Sequence, residues 1–264
     1  ISYYVHWKLM ESVASQGYKV SISGTGADEL FTGYYDHHNL YLNEVSKDEL
    51  LYKKSLDAWE KYQLPIVRNP FLQDPKLYIK DPFFRKHIYL NNDIFKNYIK
   101  QKWEEDFTEN DYGYGPLRNR MLNELFVEGT RVILNEDDLN AMSFSIENRS
   151  PFLDKNLFQI AYSIPVEHLI KNGFAKSILR DSMRGIVPNK ILNTREKVGF
   201  NASISDLLDI KNPDVMNFLI DDSSIFNIVK KDKIKEFLKQ KKMTNSFSKF
   251  LFNFINAKIF LDNL

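Results

Sequence analysis

The residues best able to do chemistry in this chain are an aspartate behind a glycine turn and a lysine in a second, distant loop. The aspartate lies in Val20-Ser21-Ile22-Ser23-Gly24-Thr25-Gly26-Ala27-Asp28-Glu29-Leu30-Phe31-Thr32-Gly33-Tyr34. Lys19 to Ser23 reads as a short buried strand, the glycines free the backbone of the turn, and Asp28 and Glu29 open the next helix. Such a turn can set main-chain groups against a nucleotide, and a carboxylate just beyond it can hold Mg²⁺ through hard oxygen ligands, with a polyphosphate on the metal. The competing reading is a strand-to-helix connection in which Asp28 only favours a helix N-terminus. The lysine lies in Thr194-Arg195-Glu196-Lys197-Val198-Gly199-Phe200-Asn201. Lys197 on such a loop can act as a movable point charge for phosphate, although most surface lysines have no such role.

A third polar stretch runs from Glu136-Asp137-Asp138 through Met142 to Glu147, Arg149, Pro151 and Asp154. Acids in this density are either a solvated face or part of a site, and the pattern alone does not choose. Asp36, His37 and His38 are adjacent metal-ligand types, but neighbouring side chains diverge on a helix, so a solvated helix end is the better reading.

The elements that must position these groups are mostly helices. Residues 2–16 suit a helix closed by Gly17, and the Lys19 to Ser23 strand completes one αβ unit. Further helices are expected from Asp28 to Tyr41, Leu50 to Gln63, Ile94 to Phe107, Leu117 to Leu134, Met142 to Ser145, Lys155 to Ser163 behind an Asp154 cap, and Phe174 to Met183. Stretches 203–209, 213–220, 230–241 and 247–262 follow. Pro65, Pro70, Pro75 and Pro82 punctuate a loop-rich passage whose Phe71, Leu72, Phe83 and Phe84 read as buried anchors.

At 264 residues the chain can bury a sizeable core. With 36 Lys+Arg against 35 Asp+Glu there is no field to attract nucleic acid or anionic lipid, and no basic groove with interleaved aromatics is evident. The absence of cysteine excludes disulfides and thiolate metal sites and makes a cytoplasmic location the default. Lys249, Asn253, Asn256 and Lys258 interrupt the most apolar tract, so no membrane span is expected. The first residue is Ile1, with a helical pattern already under way, so the sequence is expected to be a piece of a longer protein.

Three stretches together resemble the synthetase domain of glutamine-dependent asparagine synthetases. Ser23 to Phe31 with Gly33-Tyr34 is similar to that family's Ser-Gly-Glu-Gly-x-Asp-Glu motif. Glu136 to Asp154 resembles its acidic-to-Pro-Phe-Leu-Asp signature, and Arg195 to Phe200 its Lys-x-Gly-Phe loop. The resemblance implies an α/β fold, here a mainly helical C-terminal part of an ATP-pyrophosphatase (adenine nucleotide α-hydrolase-like) domain. Residues 1–45 would belong to the nucleotide-binding core and 46–264 to the helical remainder. It further implies ATP and Mg²⁺ as cofactors, with aspartate adenylated on its side chain and ammonia from glutamine displacing AMP. By position, Ser23, Gly24 and Gly26 would meet the adenylate, Asp28 would ligate Mg²⁺, Lys197 would neutralise pyrophosphate, and Asp138 would sit near the substrate. Glu147 and Arg149 would shape the acyl pocket or, on the favoured reading, brace its helix.

Two positions depart from the family pattern. Thr25 stands where the family carries a glutamate, and a hydroxyl cannot act as a carboxylate base or steer a cationic nucleophile. Leu139 stands where arginine is usual. The family's Ser-Gly-Gly-x-Asp-Ser phosphate loop and its glutaminase domain are also missing from these residues, so the isolated piece is expected to lack synthetase activity. A relative that amidates another carboxylate, such as a sugar acid, or closes a lactam stays open, as do a degenerate scaffold and a homodimer. An enzyme of this type requires Asp28 and Lys197 to face one cleft.

Overall fold

A computed structural model describes residues 1–88, 91–102, 107–197, 199–200, 202–240 and 244–264. The chain divides into two compact units, one of residues 6–87 and 108–199, the other of residues 1–5, 88–107 and 200–264.

In the first unit, α1 (Ser2–Ser15, which begins in the other unit) stops where Gly17 takes φ +82°, a left-handed conformation open to a residue without Cβ. β1 (Val20–Ile22) pairs in parallel with β2 (Glu147–Arg149), in the register Val20 to Glu147, Ser21 to Asn148 and Ile22 to Arg149. The expected strand is therefore real but shorter, and it is not buried. Val20 is 44% and Ile22 74% exposed, because among the described residues the sheet has only these two strands. β2 itself was not expected, since Glu-Asn-Arg carries no β-branched or aromatic signal.

The helix expected from Asp28 to Tyr41 is two helices, α2 (Ala27–Phe31) and α3 (Tyr35–Glu44). Thr32 at φ 72°, ψ 166° and extended Tyr34 break the path between them. α4 (Glu49–Tyr62) starts at Asp48, whose side chain accepts from Leu51 N–H. The expected 117–134 helix is also divided, into α5 (Pro116–Phe126) and α6 (Gly129–Met142), with non-helical Glu128 between them. The Met142 to Ser145 helix is not formed. Ser145 turns to φ 55° and feeds β2, so Glu147 and Arg149 lie on a strand. α7 (Lys155–Ser163) follows its Asp154 cap as expected. α8 (Ser177–Ser182) begins later than expected because Asn172, Gly173 and Lys176 all take positive φ.

Leu40, Tyr41, Tyr78, Leu117, Met121 and Leu169 fill the main core of this unit, and Leu30, Phe31, Leu125 and Ala161 a second one. Of the expected loop anchors only part is buried. Leu72 is 5% exposed, whereas Phe83 is 84% exposed.

The other unit packs α9 (Pro213–Ile220), α10 (Lys231–Leu238) and α11 (Asn245–Asp262) around Leu219, Ile234, Phe237, Leu251 and Phe254. Phe95 stacks on Phe250 with centroids 4.6 Å apart. The 94–107 expectation reduces to short turns, Asn92–Phe95 and Lys96–Tyr98, with residues 103–106 outside the described set. Residues 203–209 hold one turn, Ile204–Asp206, and residue 241 of the expected 230–241 helix is outside the described set. Val198 and Asn201 of the lysine loop are also outside it. Among the described residues no helix is long and apolar enough to cross a membrane.

Candidate functional site

The glycine turn is fixed by close packing at one glycine and open at another. Ser23 N–H donates to Arg149 O at 2.8 Å, so the chain leaves β1 still attached to β2. Gly26 has φ +94°, and a Cβ there would lie 2.6 Å from Leu153 Cδ2, so neither the backbone nor the space accepts another residue. At Gly24 a Cβ would meet nothing within 4 Å, which leaves the main chain approachable from that side.

Asp28 and Lys197 meet directly. Asp28 Oδ2 accepts from Lys197 Nζ, and Asp28 Oδ1 accepts from a second ammonium, that of Lys176. A Cβ on Gly33 would collide with this Asp28–Lys176 pair, so the break after α2 must pass through glycine here. Lys197 also stands over the Tyr34 ring at 4.6 Å, while Tyr34 OH donates to Glu29 Oε1 at 2.6 Å. The lysine loop is anchored by Arg195, whose guanidinium lies 3.6 Å from the Phe174 ring centre and 3.9 Å from that of Tyr62, with Nε donating to Asn172 O. Burial would raise the Asp28 pKa, but its two ammonium partners outweigh burial and hold it below the ordinary carboxylate value. Burial lowers the Lys176 pKa, against the pull of Asp28 and helped by repulsion from Lys197 and Arg180.

The sequence pattern assigns Lys176 no role, because Phe174 to Met183 reads as a regular helix. The Asn172-Gly173 pair was the available signal that the chain turns before α8.

The acid that reaches the turn is Asp137, and its neighbour Asp138 is exposed. Asp137 is 9% exposed, its Oδ2 accepts from Thr25 Oγ1 at 3.4 Å, and its Oδ1 lies 3.5 Å from His6 Nδ1. Burial raises the Asp137 pKa, opposed by His6 and by the Thr25 hydrogen bond. Thr25 Oγ1 accepts from Ser23 Oγ at 3.1 Å, and Ser23 Oγ lies 3.0 Å from Ser150 Oγ. Glu147 and Arg149 pair with each other at 2.9 Å while about 60% exposed, so they line no buried pocket.

Asp36, His37 and His38 are buried, at 5%, 0% and 5% exposure, so the expectation of a solvated helix end is corrected. Distant partners make that burial tolerable. His37 Nδ1 accepts from Gly33 N–H at 3.2 Å, which leaves Nε2 to donate to Glu124 Oε2 at 2.7 Å. Asp36 meets His87 at 3.2 Å, and Arg120 holds Glu124, Glu109 and Glu128 at 2.5–3.1 Å. Ligand-type atoms of Asp36, His37 and Glu124 lie within 4.8 Å of one another. The Gly33 N–H on His37, His87 on Asp36 and Arg120 beside Glu124 already engage these three side chains.

Residues 2–261 match the family model described as Asparagine synthase. The chain belongs to the asparagine synthase family. Among its relatives, Asparagine synthetase [glutamine-hydrolyzing] 1 of Bacillus subtilis (strain 168) is 29% identical over 235 residues, covering 83% of this chain and 36% of the relative. Asparagine synthetase [glutamine-hydrolyzing] 3 of the same organism is 28% identical over 184 residues, 66% of this chain and 25% of the relative. A putative asparagine synthetase [glutamine-hydrolyzing] of Mycobacterium tuberculosis (strain ATCC 25618 / H37Rv) is 27% identical over 201 residues, 70% of this chain and 30% of the relative. The chain thus spans about a third of the length of these curated asparagine synthase relatives. Thr25 faces Asp137, and Leu139 is 58% exposed.

Proposed function

We propose that the natural protein containing this chain uses ATP to adenylate the side-chain carboxylate of aspartate and transfers ammonia from glutamine to it, releasing asparagine, AMP and pyrophosphate. The observation that carries this reading is the convergence of Asp28 and Lys197, 169 residues apart, on one point beside the glycine turn. An aspartate side chain is a poor acyl donor at neutral pH because the departing oxygen would be oxide. Adenylation converts that oxygen into part of a good leaving group.

The residues present suit ATP and Mg²⁺. Asp28 offers a hard oxygen ligand, and Mg²⁺ is commonly held by one or two carboxylates together with phosphate oxygens. Lys197, with Lys176 beside it, supplies positive charge for the departing pyrophosphate, and the open flank of Gly24 lets the nucleotide approach the main chain of Ser23 to Gly26. Bound ATP supplies the activating AMP group; this chain's contribution is positioning and electrostatics. The reading makes no use of Asp138, which is exposed. It places β1, the turn and α2 in the nucleotide-binding core of a pyrophosphatase-type domain in the cytoplasm. The activity is assigned to the natural protein, and the isolated chain is expected to lack it because its sequence holds no Ser-Gly-Gly-x-Asp-Ser loop.

The test is aspartate-dependent exchange of labelled pyrophosphate into ATP by the intact natural protein. Exchange is expected with Mg²⁺ present, and Lys197→Met should reduce it about a hundredfold or more. No exchange with aspartate, or full exchange in the lysine variant, would overturn the reading.

A further inference from the structure

Amide formation needs a proton acceptor that neither the glycine turn nor the ion pair provides. As ammonia bonds to the activated acyl carbon, its nitrogen takes on positive charge, and it must release a proton as the C–O bond to AMP breaks. The electron pair of that bond leaves with AMP, and one proton remains to be placed. Asp28 is unsuited to take it because its two ammonium partners hold its pKa below the ordinary carboxylate value and make it a poor proton acceptor. Glu29 Oε1 is engaged by Tyr34 OH. Thr25 lies in the turn, and an alcohol does not retain an extra proton near neutral pH.

The hydroxyls nevertheless form a connected row. Ser150 Oγ lies 3.0 Å from Ser23 Oγ, Ser23 Oγ donates to Thr25 Oγ1 at 3.1 Å, and Thr25 Oγ1 donates to Asp137 Oδ2 at 3.4 Å. The other Asp137 oxygen lies 3.5 Å from His6 Nδ1. Asp137 reaches this row from α6, 112 residues away in sequence. Its neighbour Asp138 points from a different part of the helix, since successive residues are rotated by about 100°.

Resting on the proposed function, we propose that Asp137 receives the proton released during amide formation, with Thr25 as the relay. Thr25 Oγ takes a proton from the attacking nitrogen as it passes its own to Asp137 Oδ2, so the hydroxyl is regenerated and the carboxylate becomes a carboxylic acid. The raised pKa that burial gives Asp137 agrees with this role by making the carboxylate a better proton acceptor.

The experiment uses the intact natural protein with ATP, L-aspartate and ammonium chloride, and reads two quantities. Pyrophosphate exchange reports acid activation, which transfers no proton from nitrogen, while asparagine formation reports the complete reaction. In Asp137→Asn and in Thr25→Val, asparagine formation should fall about a hundredfold or more, and at least about tenfold further than exchange does. The double variant Thr25→Glu with Asp137→Asn, which returns a carboxylate to the turn, should recover asparagine formation at least about tenfold over Asp137→Asn alone. Equal losses of both readouts in the single variants would indicate a merely structural row and overturn the assignment, as would unchanged asparagine formation. Wild-type protein without aspartate-dependent exchange would instead overturn the proposed function, and this assignment with it.

Discussion

Lys176 N–H donates to Thr32 Oγ1 at 3.2 Å, joining two positions 144 residues apart that both hold positive φ. Thr32, at φ 72° and ψ 166°, occupies a region otherwise left almost entirely to glycine, and a β-branched residue there costs on the order of 1–3 kcal/mol. Lys176 N–H also donates to Phe31 O, so the end of α2 and the start of α8 are tied through main chain as well as through side chain. The result is that Asp28 on α2 and Lys176 before α8 are set against each other by the backbone, before their charges contribute.

That arrangement makes the two halves of the ion pair unequal. Removing the Asp28 charge leaves two partly buried ammonium groups facing each other, and breaking a buried pair from one side typically costs about 3–5 kcal/mol. Lys176→Met leaves Asp28 paired to Lys197 and keeps an apolar stem of similar length, so its cost should be about 1 kcal/mol. Urea denaturation should therefore show Asp28→Asn losing at least about 2 kcal/mol more than Lys176→Met. Equal losses would mean that Lys197 does not hold Asp28 in solution.

The two glycines of the turn should separate folding from binding. Gly26→Ala introduces left-handed strain of about 1–2 kcal/mol and drives Cβ against Leu153, so its thermal midpoint should fall by several degrees. Gly24→Ala meets open space and should change stability by less than about 0.5 kcal/mol. Its methyl group would stand where the nucleotide is proposed to approach, so ATP affinity of the intact protein should drop about tenfold. Loss of stability in Gly24→Ala, or unchanged ATP affinity, would count against the placement of the nucleotide.

Local signals made part of this architecture legible. Asp154 caps α7 and Gly17 closes α1 because caps are written within a few adjacent residues. The meeting of Asp28 with Lys197 was an expectation drawn from family resemblance, since nothing in local spacing relates residues 169 apart. What stayed hidden was set by tertiary partners. The polar triplet Glu147-Asn148-Arg149 is a strand only because β1 lies beside it. His37 reads as solvated until Glu124, 87 residues on, is found against its ring. In the acidic run, one step along α6 carries a side chain to another face, and the sequence does not say which of Asp137 and Asp138 faces the turn.

The buried histidine beside this network gives the fold an acid limit. Burial lowers the His38 pKa from 6.5 to about 3, with repulsion from His37 and Lys176 adding to burial and Asp36 opposing it. Between those two values the unfolded chain binds a proton at this residue that the folded chain does not, so stability rises with pH. This contribution is complete above about pH 6.5 and is lost as pH falls toward about 3, with a slope approaching about 1.4 kcal/mol per pH unit. Carboxylates held below their ordinary pKa, Asp28 and Glu109 among them, add a loss of the same sign at lower pH, around and below their unfolded values. From about pH 4.5 to 6.5 the histidine is opposed by Glu44, Glu124 and Asp137, whose pKa values burial raises, so that charging them costs the folded chain stability as pH rises. Urea denaturation across that window should show stability rising less with pH, or falling, in His38→Asn relative to the wild-type chain, the two slopes differing by up to about 1.4 kcal/mol per pH unit, even though the variant is less stable at pH 7. Equal slopes in the two proteins would place the acid sensitivity elsewhere.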